Sequence, residues 1–259
     1  MKKITDDDRI KICNDYLDGM SYLKITEKYK ISSWSVWNTL NKNNIKSRVR
    51  KHECDETYFE VVDNGEKAYW LGLLFSDGYV RKRKQMNGKY KQGGVVGISL
   101  KSGDEYLLKN FIKDLKSTYN LREQIRDGFT SYKLEIYSVK MVNDLIKLGC
   151  VPKKSLILLP PTLNYDLIPD FIRGYFDGDG SIGRYNGRLK FTLLGTENML
   201  KWILNYFKIQ GLKSDPKIAK KNNIYSLQIN KSSDIELIEK IMYTSSGNNY
   251  LIRKKQKFK

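Results

Sequence analysis

Acidic residues open residues 5–17, TDDDRIKICNDYL, and apolar ones then recur at helical spacing as Ile10, Cys13 and Leu17. This predicts a helix started by its acidic first turn and ended by Gly19. A second short amphipathic segment runs from Tyr22 to Tyr29, and a turn covers residues 30–32. A third helix, from Ser33 to Asn41, is expected to bury Val36, Trp37 and Leu40, with Trp34 open to a core or a surface reading. Residues 1–48 thus form a three-helix unit containing a helix-turn-helix. Residues 49–65 show no period and read as a linker. They hold His52, the single histidine, expected to be solvated and to carry no chemistry.

Past residue 65 the pattern repeats with an offset of about 100 residues. KAYWLGLLFSDGYV (67–80) matches PDFIRGYFDGDGSI (169–182), GISLKSGDEYLLKNF (97–111) matches KFTLLGTENMLKWI (190–203), and SYKLEIYS (131–138) matches IYSLQINK (224–231). Strand-like alternation such as Tyr132, Leu134 and Ile136 falls between helical runs such as EYLLKNFIKDLK. Each copy, 66–160 and 161–259, therefore reads as helix, two strands, helix, two strands, helix, an α+β unit occurring twice.

Composition narrows the partners. The chain has 259 residues, 40% hydrophobic and 12% aromatic with five prolines, which suits a packed core rather than a disordered basic tail. No apolar stretch approaches the ~20 residues of a membrane span, and MKKITDDDRI has no apolar run behind its lysines, so an intracellular, cytoplasmic protein is expected. Cys13, Cys54 and Cys150 stand far apart and suggest neither a disulfide framework nor a zinc site. The formal charge is +18, spread as +5, +5 and +8 over residues 1–50, 51–160 and 161–259. A body positive throughout suits a long polyanion, and nucleic acid is the expected partner.

The first helix of each copy carries the chemistry. Gly72 and Ser76 lie four apart in one, Gly174 and Gly178 in the other, so each helix has a stripe of small residues on one face. If the helices pack on these stripes, Asp77 and Asp179 meet at their C-terminal ends. An acid there opposes the helix dipole by about 0.3–1 kcal/mol, and two facing acids repel. Folding does not favour that arrangement, whereas a hard divalent cation does, taking one or two carboxylates with phosphate oxygens and water.

WLGLLFSDG (70–78) and IRGYFDGDG (172–180) resemble the paired signature motifs of the LAGLIDADG homing endonucleases, over residues 66–259. The resemblance implies two pseudo-symmetric αββαββα halves with saddle-shaped antiparallel sheets astride double-stranded DNA, joined by the motif helices. It implies a single-chain monomer needing no protein partner. It also implies a Mg²⁺-dependent endonuclease cutting a long target, with Asp77 and Asp179 binding the metal. Late in each repeat the family places a lysine near the water and phosphate. LGCVPKKS and YLIRKK point to Lys154 and Lys254, although spacing alone leaves Lys153 and Lys255 open. Phe75 stands where many members have an acid, while the second motif keeps Asp177.

DNA contacts are expected from the strands. RKRKQMNGKYK (81–91) carries Arg81, Lys82, Arg83, Lys84, Lys89 and Lys91 without an acid, with Asn87-Gly88 as a hairpin turn. Its counterpart holds Arg184, Arg188 and Lys190; Lys133, and less strongly Arg122, Arg126, Lys213, Lys217, Lys220 and Lys221, add to the set. Residues 1–48 resemble the small helix-turn-helix domains of resolvases and transposases, which implies that Ser33, Ser35, Asn38 and Lys42 on the third helix face the major groove. The rival reading is a regulator or an RNA-binding maturase that kept the fold and lost the nuclease; such proteins usually lack the motif acids, and both are present here.

Overall fold

In a computed structural model, residues 4–46, 52–83, 93–244, 247 and 249–259 are described. The chain divides into two compact units, residues 1–51 and 52–259. In the first, α1 (Asp6–Leu17), α2 (Tyr22–Tyr29) and α3 (Ser33–Lys42) fall where the periodicity puts them. Their starts are fixed locally. Thr5 and Asp8 form a reciprocal capping box, and the Ser21 and Ser32 side chains cap α2 and α3. Lys28 and the Tyr29 hydroxyl both donate to Asp15, tying α2 to α1. The core is small: Ile12, Cys13, Tyr16, Ile25, Val36 and Leu40. Two expectations fail for that reason. The buried stripe of α1 runs through Ile12, Cys13 and Tyr16 while Ile10 and Leu17 face solvent, and Trp37 is 46% exposed, because so few helices cover only a narrow stripe.

The second unit holds the duplicated plan. The first half runs α4 (Gly65–Ser76), β1 (Tyr79–Arg83), β2 (Gly93–Lys101), α5 (Glu105–Asp114), β3 (Arg122–Arg126), β4 (Phe129–Ile136) and α6 (Val139–Lys147). The second runs α7 (Ile168–Asp179), β5 (Gly180–Tyr185), β6 (Arg188–Gly195), α8 (Glu197–Ile209), β7 (Ile218–Lys221), β8 (Ile224–Ile229) and α9 (Ser232–Tyr243), and a short α10 (Ile252–Lys255) follows. The two antiparallel sheets have the same strand order, β1-β2-β4-β3 and β5-β6-β8-β7. Alternation puts Ile98, Leu134 and Ile136, and likewise Phe191, Leu193 and Leu227, into the core.

The motif helices α4 and α7 pack on each other at the centre. Residues 68–75 of α4 are all buried, so the helix is apolar on every side rather than amphipathic. A Cβ on Gly72 would stand 2.0 Å from the Phe171 carbonyl oxygen, and one on Gly174 2.0 Å from that of Tyr69, so only glycine permits this backbone approach. Residues 52–64 belong to this unit and are no linker. Backbone bonds join Glu53 to Thr118 and Asp55 to Leu115, and Tyr58 and Phe59 enter the core. His52 is not freely solvated: its ring stacks on Tyr119, and Nδ1 lies 3.0 Å from the Thr118 carbonyl oxygen.

Candidate active site and nucleic-acid interface

Asp77 caps α4 and Asp179 ends α7. Their helix ends adjoin, since a Cβ on Gly178 would stand 3.1 Å from the Asp77 amide nitrogen and 2.0 Å from Ser76 Oγ. Asp77 is exposed and Asp179 half-buried. Among the described residues, no hydrogen bond or ion pair engages either carboxylate. The buried acids Asp104, Asp144, Asp170 and Asp234, by contrast, all have partners. The surrounding protein pushes both carboxyls upward, Asp179 to about 6 with Asp77's charge adding to the effect of burial, while Lys154 and Lys254 pull each back. Two unpaired, mutually repelling hard oxygen donors fit a divalent cation that completes its shell with phosphate and water. No group of three metal-binding side chains occurs among the described residues.

Burial distinguishes the members of each lysine pair. Lys154 is buried at the start of a 3-10 turn, Lys154–Leu156, whereas Lys153 is exposed. Lys254 is buried in α10, while Lys255 lies over the rings of Tyr243 and Tyr250. The two ammonium groups do equivalent things. Lys154 donates to the carbonyls of Ser76 (2.8 Å) and Gly78 (2.7 Å), on either side of Asp77. Lys254 donates to those of Phe176 (2.8 Å), Asp177 (2.7 Å) and Gly180 (2.6 Å), with Gly178 at 3.4 Å, around Asp179. Each thereby satisfies the orphan carbonyls of a helix C-terminus and sets positive charge against its dipole. Burial depresses both amines, Lys254 to about 8.

Four contacts that hold this arrangement were invisible to local pattern. Arg253 pairs with Asp104, the N-cap residue of α5 in the opposite half, at 2.8 Å. Thr196, which caps α8, donates to the Leu158 carbonyl of the first half's connecting segment at 2.6 Å. The segment carrying each lysine is thus anchored to the other half. Asp177, fully buried, accepts from the Tyr69 hydroxyl (2.7 Å) and the Leu251 amide (2.8 Å). Its counterpart Phe75 packs edge-on to Phe171 instead. Motif one replaces a polar anchor with an apolar one.

The predicted DNA-contacting residues divide by strand alternation. Tyr79, Arg81, Arg122 and Lys133 share the open face of the first sheet, while Lys82 falls on the opposite face with Val80. Arg83 ends β1; Lys84, Lys89, Lys91 and the Asn87-Gly88 turn lie outside the described residues. In the second sheet Arg188 and Lys190 lie on the open face, whereas Arg184 shares the core-side register of Ile182 and its Nη2 lies 3.5 Å from the Lys259 carbonyl. A cleft of about 440 Å³ beside Asp179 is lined by two expected residues, Lys190 and Lys221, and adds Ser181, Tyr185, Thr192 and Gln228. Alternation within those short strands was the signal that could have found them. On α3, Ser33 and Lys42 are exposed, but Ser35 and Asn38 are half-buried.

No family model matches the chain. Over 179 residues, 66% of its length, it is 28% identical to the replication factor C small subunit of Methanocaldococcus jannaschii, of which it spans only 9%. Among solved structures, the LAGLIDADG meganuclease I-AabMI bound to uncleaved DNA matches with a TM-score of 0.50 at 16% identity, over 75% of this chain and 87% of that one. I-DmoI in complex with DNA and Mn gives 0.49 at 19% identity, over 71% and 98%. Two four-stranded antiparallel sheets flanking a central helix pair, and the superposition on the first of these structures, establish that this chain has the fold of the LAGLIDADG meganucleases.

Proposed function

We propose that the protein is a site-specific DNA endonuclease that cuts both strands of a long target in a Mg²⁺-dependent reaction. The observation that carries this reading is the pair of carboxylates, Asp77 and Asp179, which have no partner among the described residues and sit at adjoining helix ends, each leading directly into a sheet with a basic open face. Asp77 and Asp179 would hold the metal; when bound, it supplies charge neutralisation at phosphate and lowers the pKa of water. The chain's own groups do the rest. Lys154 and Lys254 fix the helix ends that present the acids and keep positive charge beside an accumulating negative one. Arg81, Lys133, Arg188 and Lys190 on the open sheet faces meet the DNA backbone and bases. Residues 1–51 add a second DNA contact through α3, extending the footprint.

The test is cleavage of a DNA library covering the flanks of the native locus, with Mg²⁺ or Ca²⁺, comparing wild type with Asp179→Asn and mapping the ends. We expect Mg²⁺-dependent double-strand breaks at one site and a loss of at least 100-fold in the variant. Sequence-specific binding without breaks would instead identify a regulator or maturase on the same fold.

A further inference from the structure

The open faces of the two sheets have different chemistry at matching positions. On the first, Tyr79, Gly97 and Glu135 lie side by side across β1, β2 and β4. Gly97 makes this possible: a Cβ there would stand 2.2 Å from Tyr79 Cζ, so the absence of a side chain lets the phenol cross β2 to donate to Glu135. The same carboxylate accepts from Arg81 at 3.0 Å and Lys133 at 3.1 Å, with Arg122 at 3.9 Å, and Arg81 also stacks on the Tyr79 ring. The Glu135 side chain is only 11% exposed. The Tyr79 hydroxyl, followed by the lysine and arginine, holds it below the usual carboxylate range, so it is an anion at neutral pH. In the second sheet the equivalent ladder is Ser181, Thr192 and Gln228, all neutral. Among the described residues, Lys190 and Lys221 beside it form no ion pair.

A carboxylate facing DNA repels phosphate, so it lowers affinity unless it does something else. Here it fixes two or three long cationic side chains in one arrangement. A fixed guanidinium or ammonium suits the acceptor pattern of a guanine edge, while a free one goes to the nearest phosphate. We infer that Glu135 determines specificity in the first half-site, by holding Arg81 and Lys133 for base contact and denying them to the phosphate backbone. The second sheet, with Gln228 in that place, leaves its lysines for phosphate. The two halves therefore read DNA in different modes. This rests on the proposed DNA-binding function, and the two stand or fall on different results.

The experiment is selection of bound sequences from a randomised duplex library by the full chain in Ca²⁺ buffer, with salt titrations of binding to a random duplex. For Glu135→Gln, which puts at this position the neutral amide that Gln228 supplies in the second sheet, we expect base preference to fall about tenfold within one half-site and to persist in the other. Binding to random duplex should tighten, and its log–log salt slope steepen by about 1–2, one phosphate contact per cation released. Lys221→Gln should leave that half-site's preference intact and make the slope shallower. Tyr79→Phe, which loosens the same network while keeping the charge, should lose preference in the same half-site, and decides the matter if Glu135→Gln does not fold. Wild-type preference in both halves and an unchanged slope for these variants would overturn the inference. A wild-type selection that enriches no sequence would overturn the proposed function, and this inference with it.

Discussion

Among the described residues nothing pairs with the Asp179 carboxylate, and its pKa of about 6 has a consequence for stability. A folded-state value raised above that of the unfolded chain means that the folded protein binds the proton more tightly, so metal-free stability falls as pH rises from about 4 through 6. Asp179→Asn removes this penalty. Allowing for solvent screening of a half-buried group, it should gain about 1–2 kcal/mol, or ~2–6 °C in melting temperature, at pH 7–8 with a chelator present. The two proteins should converge below pH 4, and added Mg²⁺ should raise the wild-type melting point more than the variant's. A thermal scan of both across pH checks this; equal melting points at pH 8 would remove the unfavourable Asp179 charge as the reason a cation is wanted.

At the scale of elements, contact between α4 and α7 decides whether the acids meet at all. Two glycines of this interface should respond differently. Gly174→Ala drives a methyl into the Tyr69 carbonyl, a backbone atom that cannot move away, and should cost about 3 kcal/mol or more. Gly178→Ala meets the Ser76 side chain instead, at 2.0 Å from Oγ. Trimming that partner, as Gly178→Ala with Ser76→Gly, should recover at least half of the loss, while Ser76→Gly should do nothing for Gly174→Ala. A double-mutant cycle by denaturant unfolding measures the coupling. The stripe of small residues was legible because helical spacing places Gly72 with Ser76 and Gly174 with Gly178. The different neighbour facing each glycine was not, since it depends on how the second helix is rotated.

On the scale of the whole chain, the small unit and the body have separate cores, joined in sequence near residue 51. Removing residues 1–51 should leave the body's melting temperature and the proposed cleavage in place while making the salt dependence of the proposed DNA binding shallower, since residues 1–51 carry 12 Lys+Arg against 6 Asp+Glu, a formal charge of +6. Binding isotherms at several salt concentrations, set beside thermal melts, test both halves of that statement. A body that unfolds on truncation would show that the units are not independent.

Whatever is periodic or repeated could be read from the order of residues alone: the three short helices, the duplicated order of helices and strands, and the two acids at equivalent helix ends. These are set by interactions within a few residues, by side-chain spacing, and by an internal copy that checks each assignment. The remainder depends on how distant segments pack. Lys154 and Lys254 differ from their neighbours only in which ammonium reaches a helix C-terminus some 76 residues away in sequence. Residues 52–64 look structureless because their bonds go to Leu115 and Thr118. Trp37 reads as core by spacing, but a three-helix unit has too little surface to cover it. Glu135 is one more strand acid until β1 and β2 bring Tyr79, Gly97 and Arg81 beside it. Periodicity assigns a residue to a face; only the packing of distant segments assigns it a partner.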